Sequence, residues 1–275
     1  KLTCAPWDSL KKTGGVLSVI IGRTLVLNDS IDVSGKGFLG GATALGMGVC
    51  VETAPLKMNK YAYAATAGID SAGFKGEGFV SKGVVGGIAF PIYPRFAKGT
   101  GANLISGGGG NGRFSGGGGG ANYGSGGTGG QETGCALNRQ GGIGGLQIAG
   151  TFLDDPKKMF MGAGGGASTY IAGGSPSAGG NGGGIILIVS DTIRGNSNII
   201  RADGAGAKGA SGNAGAGGGG AAGTVALYIQ SYSNLTLAAR GGKGGDNVGS
   251  FGEGGGGGGG FIATNTPSSA TSISR

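Results

Sequence analysis

The chain contains no histidine, and that absence limits its chemistry before any motif is read. Ser-His-Asp and Cys-His nucleophilic systems lack their base, and the usual transition-metal sites lack a common ligand. Carboxylates remain for acid–base work, and their densest group is Asp154-Asp155-Pro156-Lys157. A polysaccharide hydrolase needs paired acids, and a lyase would use acids with calcium and a basic residue. Pro156 inside the run favours a surface turn over such a site. Asp29, Asp32, Asp191 and Asp203 fall at bends or strand ends of different units and form no visible constellation.

Gly241-Gly242-Lys243-Gly244-Gly245-Asp246-Asn247-Val248-Gly249 matches the nonapeptide in which aspartates of successive turns share calcium. It occurs once, in a chain where glycine makes chance matches common, so no metal site is expected. No phosphate loop of the form GxxxxGK[ST] is present. No cofactor and no catalytic residue are expected, and the chain reads as a non-enzyme. The cysteines number three. In an extracellular setting Cys4 and Cys50 are the expected disulfide across the first unit, with Cys135 left over, although spacing does not fix the pairing.

Binding chemistry is easier to find. Phe114, Asn122, Tyr123, Tyr170 and Tyr232 stand out from glycine-rich or strand-like surroundings. An aromatic ring on a glycine-rich excursion is suited to stacking on a sugar, and packing against the scaffold is the plainer role for each. The net charge is +8, but the basic residues are scattered, with Lys157-Lys158 and the Lys57, Lys60 pair the densest. No arginine tract or aromatic stacking motif accompanies them, so nucleic acid is not expected as a partner. No apolar run approaches the roughly 20 residues of a membrane span.

The elements that would position these residues repeat. Between Gly182 and Asp246 one unit is written twice: paired glycines, an apolar β-type run (Ile185 to Val189, then Thr224 to Ile229), a polar bend, a second run (Ile199 to Ala202, then Leu235 to Ala239) and a glycine-rich excursion. A third copy begins at Gly14-Gly15 and closes on Ser34-Gly35-Lys36-Gly37. Its glycines align with the later copy without a gap, but its second strand fits better with a slip of one residue. Such units cannot bury an apolar face alone. The reading is all-β, a β-solenoid or β-helix-like stack.

Glycine numbers 74 of 275 residues. Ordering a glycine costs about 0.5 to 1 kcal/mol more than ordering alanine, and only its amide and carbonyl can offset that through hydrogen bonds to neighbouring chains. Two frames place glycine at every third position, 206 to 218 and 249 to 258. That period predicts excursions packed side by side as polyglycine II helices. The expected organisation is a lead-in and first strand unit over 1–41, an irregular aromatic-containing insertion over 42–98, a glycine-rich repeat region with two further strand units over 99–262, and a Ser/Thr-rich linker tail over 263–275. Without an initiator methionine or signal peptide, the chain is expected to be a piece of a longer protein.

Taken in order, GGVLSVII, SIDVSGKGFLGG, AGFKGEGFV, GGGGNGRFSGGGGGANYGSGGTGG, MFMGAGGGAS, NGGGIILIVSDTI and AAGTVALYIQSYSNLTLAARGGKGGD resemble the glycine-rich region of very large surface adhesins of gliding Bacteroidota. The resemblance spans residues 14 to 262. It implies an extracellular, cell-surface module with a structural or adhesive role, exported by the type IX secretion system, with no catalytic residues to carry over. The implied partners are an extracellular glycan or surface ligand, secretion-system components or other copies of the chain. A polysaccharide lyase or hydrolase on a β-helix and a self-assembling fibre subunit are the alternatives.

Overall fold

The computed structural model describes residues 1–45, 72–79, 84–85, 88–89, 97–111, 114–131, 141–151, 153–155, 157–249, 251–265 and 272–273. Most of the expected 42–98 insertion, Cys50, Cys135, Pro156 and most of the 263–275 tail lie outside them. The described residues contain no helix.

Two parallel sheets enclose the main core. In the first, β1 (Val16–Ile20), β8 (Ile185–Val189), β10 (Thr224–Tyr228) and β12 (Phe261–Thr264) lie side by side in that order. In the second, β13 (Ser272–Ile273), β11 (Ser231–Ala238) and β9 (Thr192–Arg201) are neighbours, and β9 also pairs with β2 (Thr24–Val26) and β3 (Ile31–Asp32). Two small pairs stand apart: β4 (Ala44–Leu45) parallel to β7 (Thr169–Tyr170), and β5 (Val84–Val85) antiparallel to β6 (Ile88–Ala89).

Alternation selects the buried face, as the two-residue period of a strand requires. In β8, Ile186 and Ile188 are buried while Val189 is exposed. The register stacks Leu17 on Ile186, Val225 and Ile262. These side chains meet Ile31, Ile193, Ile200 and Leu237 of the second sheet, with Leu27 and Val33 just after β2 and β3, in one apolar cluster. Val16 pairs with Ile185 and Ile31 with Ile200, but Thr24 pairs with Thr192, so the pairing offset drops by one at β2 alone. The slip that the sequence alignment places on the whole second strand is thus confined to β2, and β3 keeps the offset of the first strand. The polar bend is a bulge: Ser233 pairs with Arg194 and Leu235 with Asn198. Asn196, Ser197 and Asn234 take positive φ there, and Asn196 and Asn198 each donate to the Leu27 carbonyl at 3.1 and 3.0 Å.

The glycine-rich segments form neither α- or 3₁₀-helices nor strands, yet their amides are hydrogen-bonded with a step of three residues. Along residues 215–223, Gly215, Gly218 and Ala221 donate to Thr169, Gly166 and Ala163. The next set, Ala216, Gly219 and Ala222, donates to Gly252, Gly255 and Gly258. Gly220 and Gly223 turn to Ala205 and Ala202, and other segments donate back from Gly117, Gly120, Gly180, Gly183, Gly242 and Gly245. One segment is thereby tied to neighbours on every side. This is where the buried backbone polar groups find partners without a conventional ladder.

The expected β-solenoid stack with helical excursions is corrected by this arrangement. A solenoid coil follows directly on the previous one and contacts only its neighbours. Here β1 and β8 are adjacent in space but separated by residues 21–184, the strands fall into several separate parallel sheets, and glycine segments from distant parts of the chain bond to one another. The physical cause is that glycine leaves backbone as the only surface to pack. The intervening segments therefore satisfy their amides among themselves, outside the strand stack.

Candidate functional site

Beside β12 a shallow cleft is lined by Tyr123, Asn122, Leu153, Asp154, Asp155, Lys158, Phe160, Thr224 and Phe261 among others. It joins two sequence-predicted contact residues to the acidic run, which the sequence separates by some thirty positions. The half-buried Tyr123 ring stacks at a tilt on Phe261, centroids 5.0 Å apart and planes at 31°. Phe160 approaches Phe79 at 5.7 Å. Asn122 is 2% exposed, and its amide donates to the Ala222 carbonyl at 2.9 Å and the Phe160 carbonyl at 3.3 Å. Thr224 Oγ1 also donates to Phe160 O, at 2.8 Å. Asn122 thus fastens the floor, and Tyr123 supplies a wall.

The acids on the rim hold a turn. Asp154 Oδ2 accepts from the Gly150 amide at 2.8 Å, Asp155 Oδ1 accepts from the Lys157 amide at 2.9 Å, and Lys158 Nζ stands 3.9 Å from Asp155. Thr151 Oγ1 donates to the Ile148 carbonyl and closes the same loop. Carboxylates used this way shape the rim and give it polar edges.

The other predicted residues are dispersed. Phe114 is 2% exposed with φ 47°, its ring edge-on to Phe251 at 4.6 Å. Tyr170 packs on the Ala210, Ala214, Ala216 cluster, and Tyr232 lies in β11 against the main core. Both are half-buried. Cys4 is a half-buried free thiol whose pKa is raised by burial against a lowering influence of Lys36; its expected partner Cys50 lies outside the described residues.

Several of the other acids are tied into structure. Asp32 is 3% exposed. Its Oδ2 accepts from Arg201 Nε at 2.9 Å and ion-pairs with the Arg201 guanidinium at 2.7 Å and with Lys1 Nζ, while Oδ1 accepts from the Ser34 amide. Burial would raise its pKa, but the hydrogen bonds from Lys1, Arg201 and Ser34 outweigh it and hold the carboxyl far below the usual range. Arg201 is raised by the same bond. Asp203 accepts from the Arg240 amide at 2.7 Å. Asp246, the acid of the nonapeptide match, pairs with Lys243 at 2.6 Å. Among the described residues no group of three His, Cys, Asp or Glu side chains could hold a metal, and no helix is long and apolar enough to cross a membrane.

Phe160, Phe261 and Lys158 belong to the cleft and escape sequence reasoning as site residues. Their apolar surroundings are visible, in the patch from Leu146 to Met161 and the pair Phe261-Ile262, but nothing local ties them to Tyr123. Compared with protein-family models, curated proteins and solved structures, the chain matches none.

Proposed function

We propose that the chain is a non-catalytic, structural and adhesive module of a large secreted cell-surface protein, binding an extracellular glycan or surface ligand. The observation that carries this reading is the glycine lattice. A scaffold cross-linked through backbone amides presents a fixed surface, while Asp32, Asp154, Asp155 and Asp246 are engaged in ion pairs and turns. The cleft at Tyr123 and Phe261 is the ligand site, with a half-buried aromatic wall for an apolar sugar face and a polar rim for hydroxyls. Extracellular placement and export through the type IX system in Bacteroidota rest on the resemblance of the glycine-rich fragments.

The test is a glycan array probed with the purified chain, with the same polysaccharides followed for reducing ends or unsaturated products. Binding without turnover is expected. Turnover would reject the non-catalytic reading and redirect attention to Asp154 and Asp155.

A second reading, a subunit of a self-assembling fibre, is supported by one feature. β1 is an edge strand among the described ones, and its Val16 and Ile20 are 50% and 79% exposed. Exposed apolar edges template pairing between chains. Light scattering with concentration separates the two: growth that Ile20→Lys suppresses favours the fibre, and a monomer at all concentrations rejects it.

A further inference from the structure

Lys75 is 1% exposed and among the largest fully buried side chains of the described residues. It belongs to the extended segment 72–79, anchored by its own amide to the Ala97 carbonyl and by Gly76 to Gly107, both at 2.9 Å. Its Nζ lies 3.2 Å from Oδ1 of Asn103. Asn103 is itself fixed, with its amide donating to Ser106 Oγ and its carbonyl accepting from the Ser106 amide, both at 3.3 Å. Burial penalises the ammonium form and lowers the Lys75 pKa to about 8. A much larger share of this amine is therefore free base near neutrality than for an exposed lysine. The free-base fraction of this amine is a nucleophile held within hydrogen-bond reach of the Asn103 carboxamide, to whose oxygen Nζ donates.

We propose that Lys75 and Asn103 join in an intramolecular isopeptide bond. The Nζ lone pair adds to Cγ of Asn103, forming the new carbon–nitrogen bond. The tetrahedral carbon then expels its original nitrogen, which takes the proton lost by Nζ and leaves as ammonia. No oxidant or reductant enters. The bond ties segment 72–79 covalently to the turn at 103–106, across 28 positions of sequence. The inference stands independently of what the cleft binds.

The test is the intact mass of the purified full chain under denaturing conditions, followed by fragmentation of a proteolytic digest. The expected mass is that of the sequence less one ammonia, with a branched peptide linking Lys75 to Asn103. Lys75→Met and Asn103→Ala are each expected at the full mass of their own sequences. Because the branched peptide is sought in the unmutated chain, poor folding of either variant does not decide the matter. An unmutated mass equal to the sequence overturns the proposal. So does an ammonia loss that maps to a succinimide at Asn111-Gly112 or Asn181-Gly182, or one that survives in Lys75→Met.

Discussion

A Cβ built on Gly166 would fall on the carbonyl oxygen of Gly108, far inside van der Waals contact. Neither residue has positive φ. Glycine is needed at Gly166 for space, because the neighbouring backbone occupies the volume a side chain would take. The same holds for Gly119 against Gly256, Gly182 against Gly162 and Gly223 against Gly184. Backbones that approach this closely can exchange hydrogen bonds without a ladder, and that is what holds the glycine segments together.

Gly166→Ala is therefore expected to destabilise the chain by about 3 kcal/mol or more, since the obstacle is backbone that cannot rotate away. Gly22→Ala, with nothing within 4 Å of the added carbon and no positive φ, is expected to change stability by less than about 0.5 kcal/mol. Urea midpoints of the two variants check both; equal losses would refute the packing argument.

Asp32→Ala leaves the Arg201 guanidinium without its acceptor and is expected to cost about 2 to 3 kcal/mol at neutral pH. The folded pKa of Asp32 is depressed, so its contribution is complete above the unfolded value near 3.9 and is lost as pH falls through the folded one. The gap between parent and variant should hold from pH 7 down to about pH 4 and shrink below that. Thermal melts across this range test the sign, and a gap that widens on acidification would contradict it.

Tyr123→Ala and Asn122→Ala should separate binding from framework. Removing Tyr123 takes away the wall of the cleft and is expected to weaken binding to a glycan identified on the array by at least about tenfold, or about 1.4 kcal/mol. Removing Asn122 takes a side-chain donor from the buried Ala222 carbonyl, while the Phe160 carbonyl keeps Thr224 Oγ1, and is expected to cost about 1 to 3 kcal/mol of stability. Titration calorimetry and melting of both variants provide the comparison. A Tyr123 variant that binds normally would move the site elsewhere.

Phe114→Ala is expected to cost about 3 to 5 kcal/mol, as for other buried phenylalanines, and to leave glycan affinity unchanged in the protein that remains folded. Its ring is spent on Phe251. A loss of affinity with normal stability would restore Phe114 as a contact.

The strand units were legible in the sequence because a strand writes its burial locally. Apolar β-type runs that open directly after Gly15, Gly184 and Gly223 mark β1, β8 and β10, and aligning the copies shows that the second strand of the first unit has a slip of one residue. The need to hydrogen-bond the glycine amides was equally legible, since glycine has nothing else to offer. The frames were less informative. Gly218 and Gly206 share one frame, yet a Cβ on the first would meet the Gly118 carbonyl oxygen while the second has its nearest neighbour at 3.4 Å.

What the sequence determined by itself was composition, period and the absence of histidine chemistry. Only the tertiary structure decided that the strands form separate parallel sheets instead of a continuous solenoid, that Tyr123 meets Phe261 and the Asp154 turn, and that Lys75 reaches Asn103. The reason is that glycine segments carry no side-chain code for their neighbours. Which amide meets which carbonyl depends on the simultaneous packing of all of them, and residues carried on those segments inherit their partners from that packing.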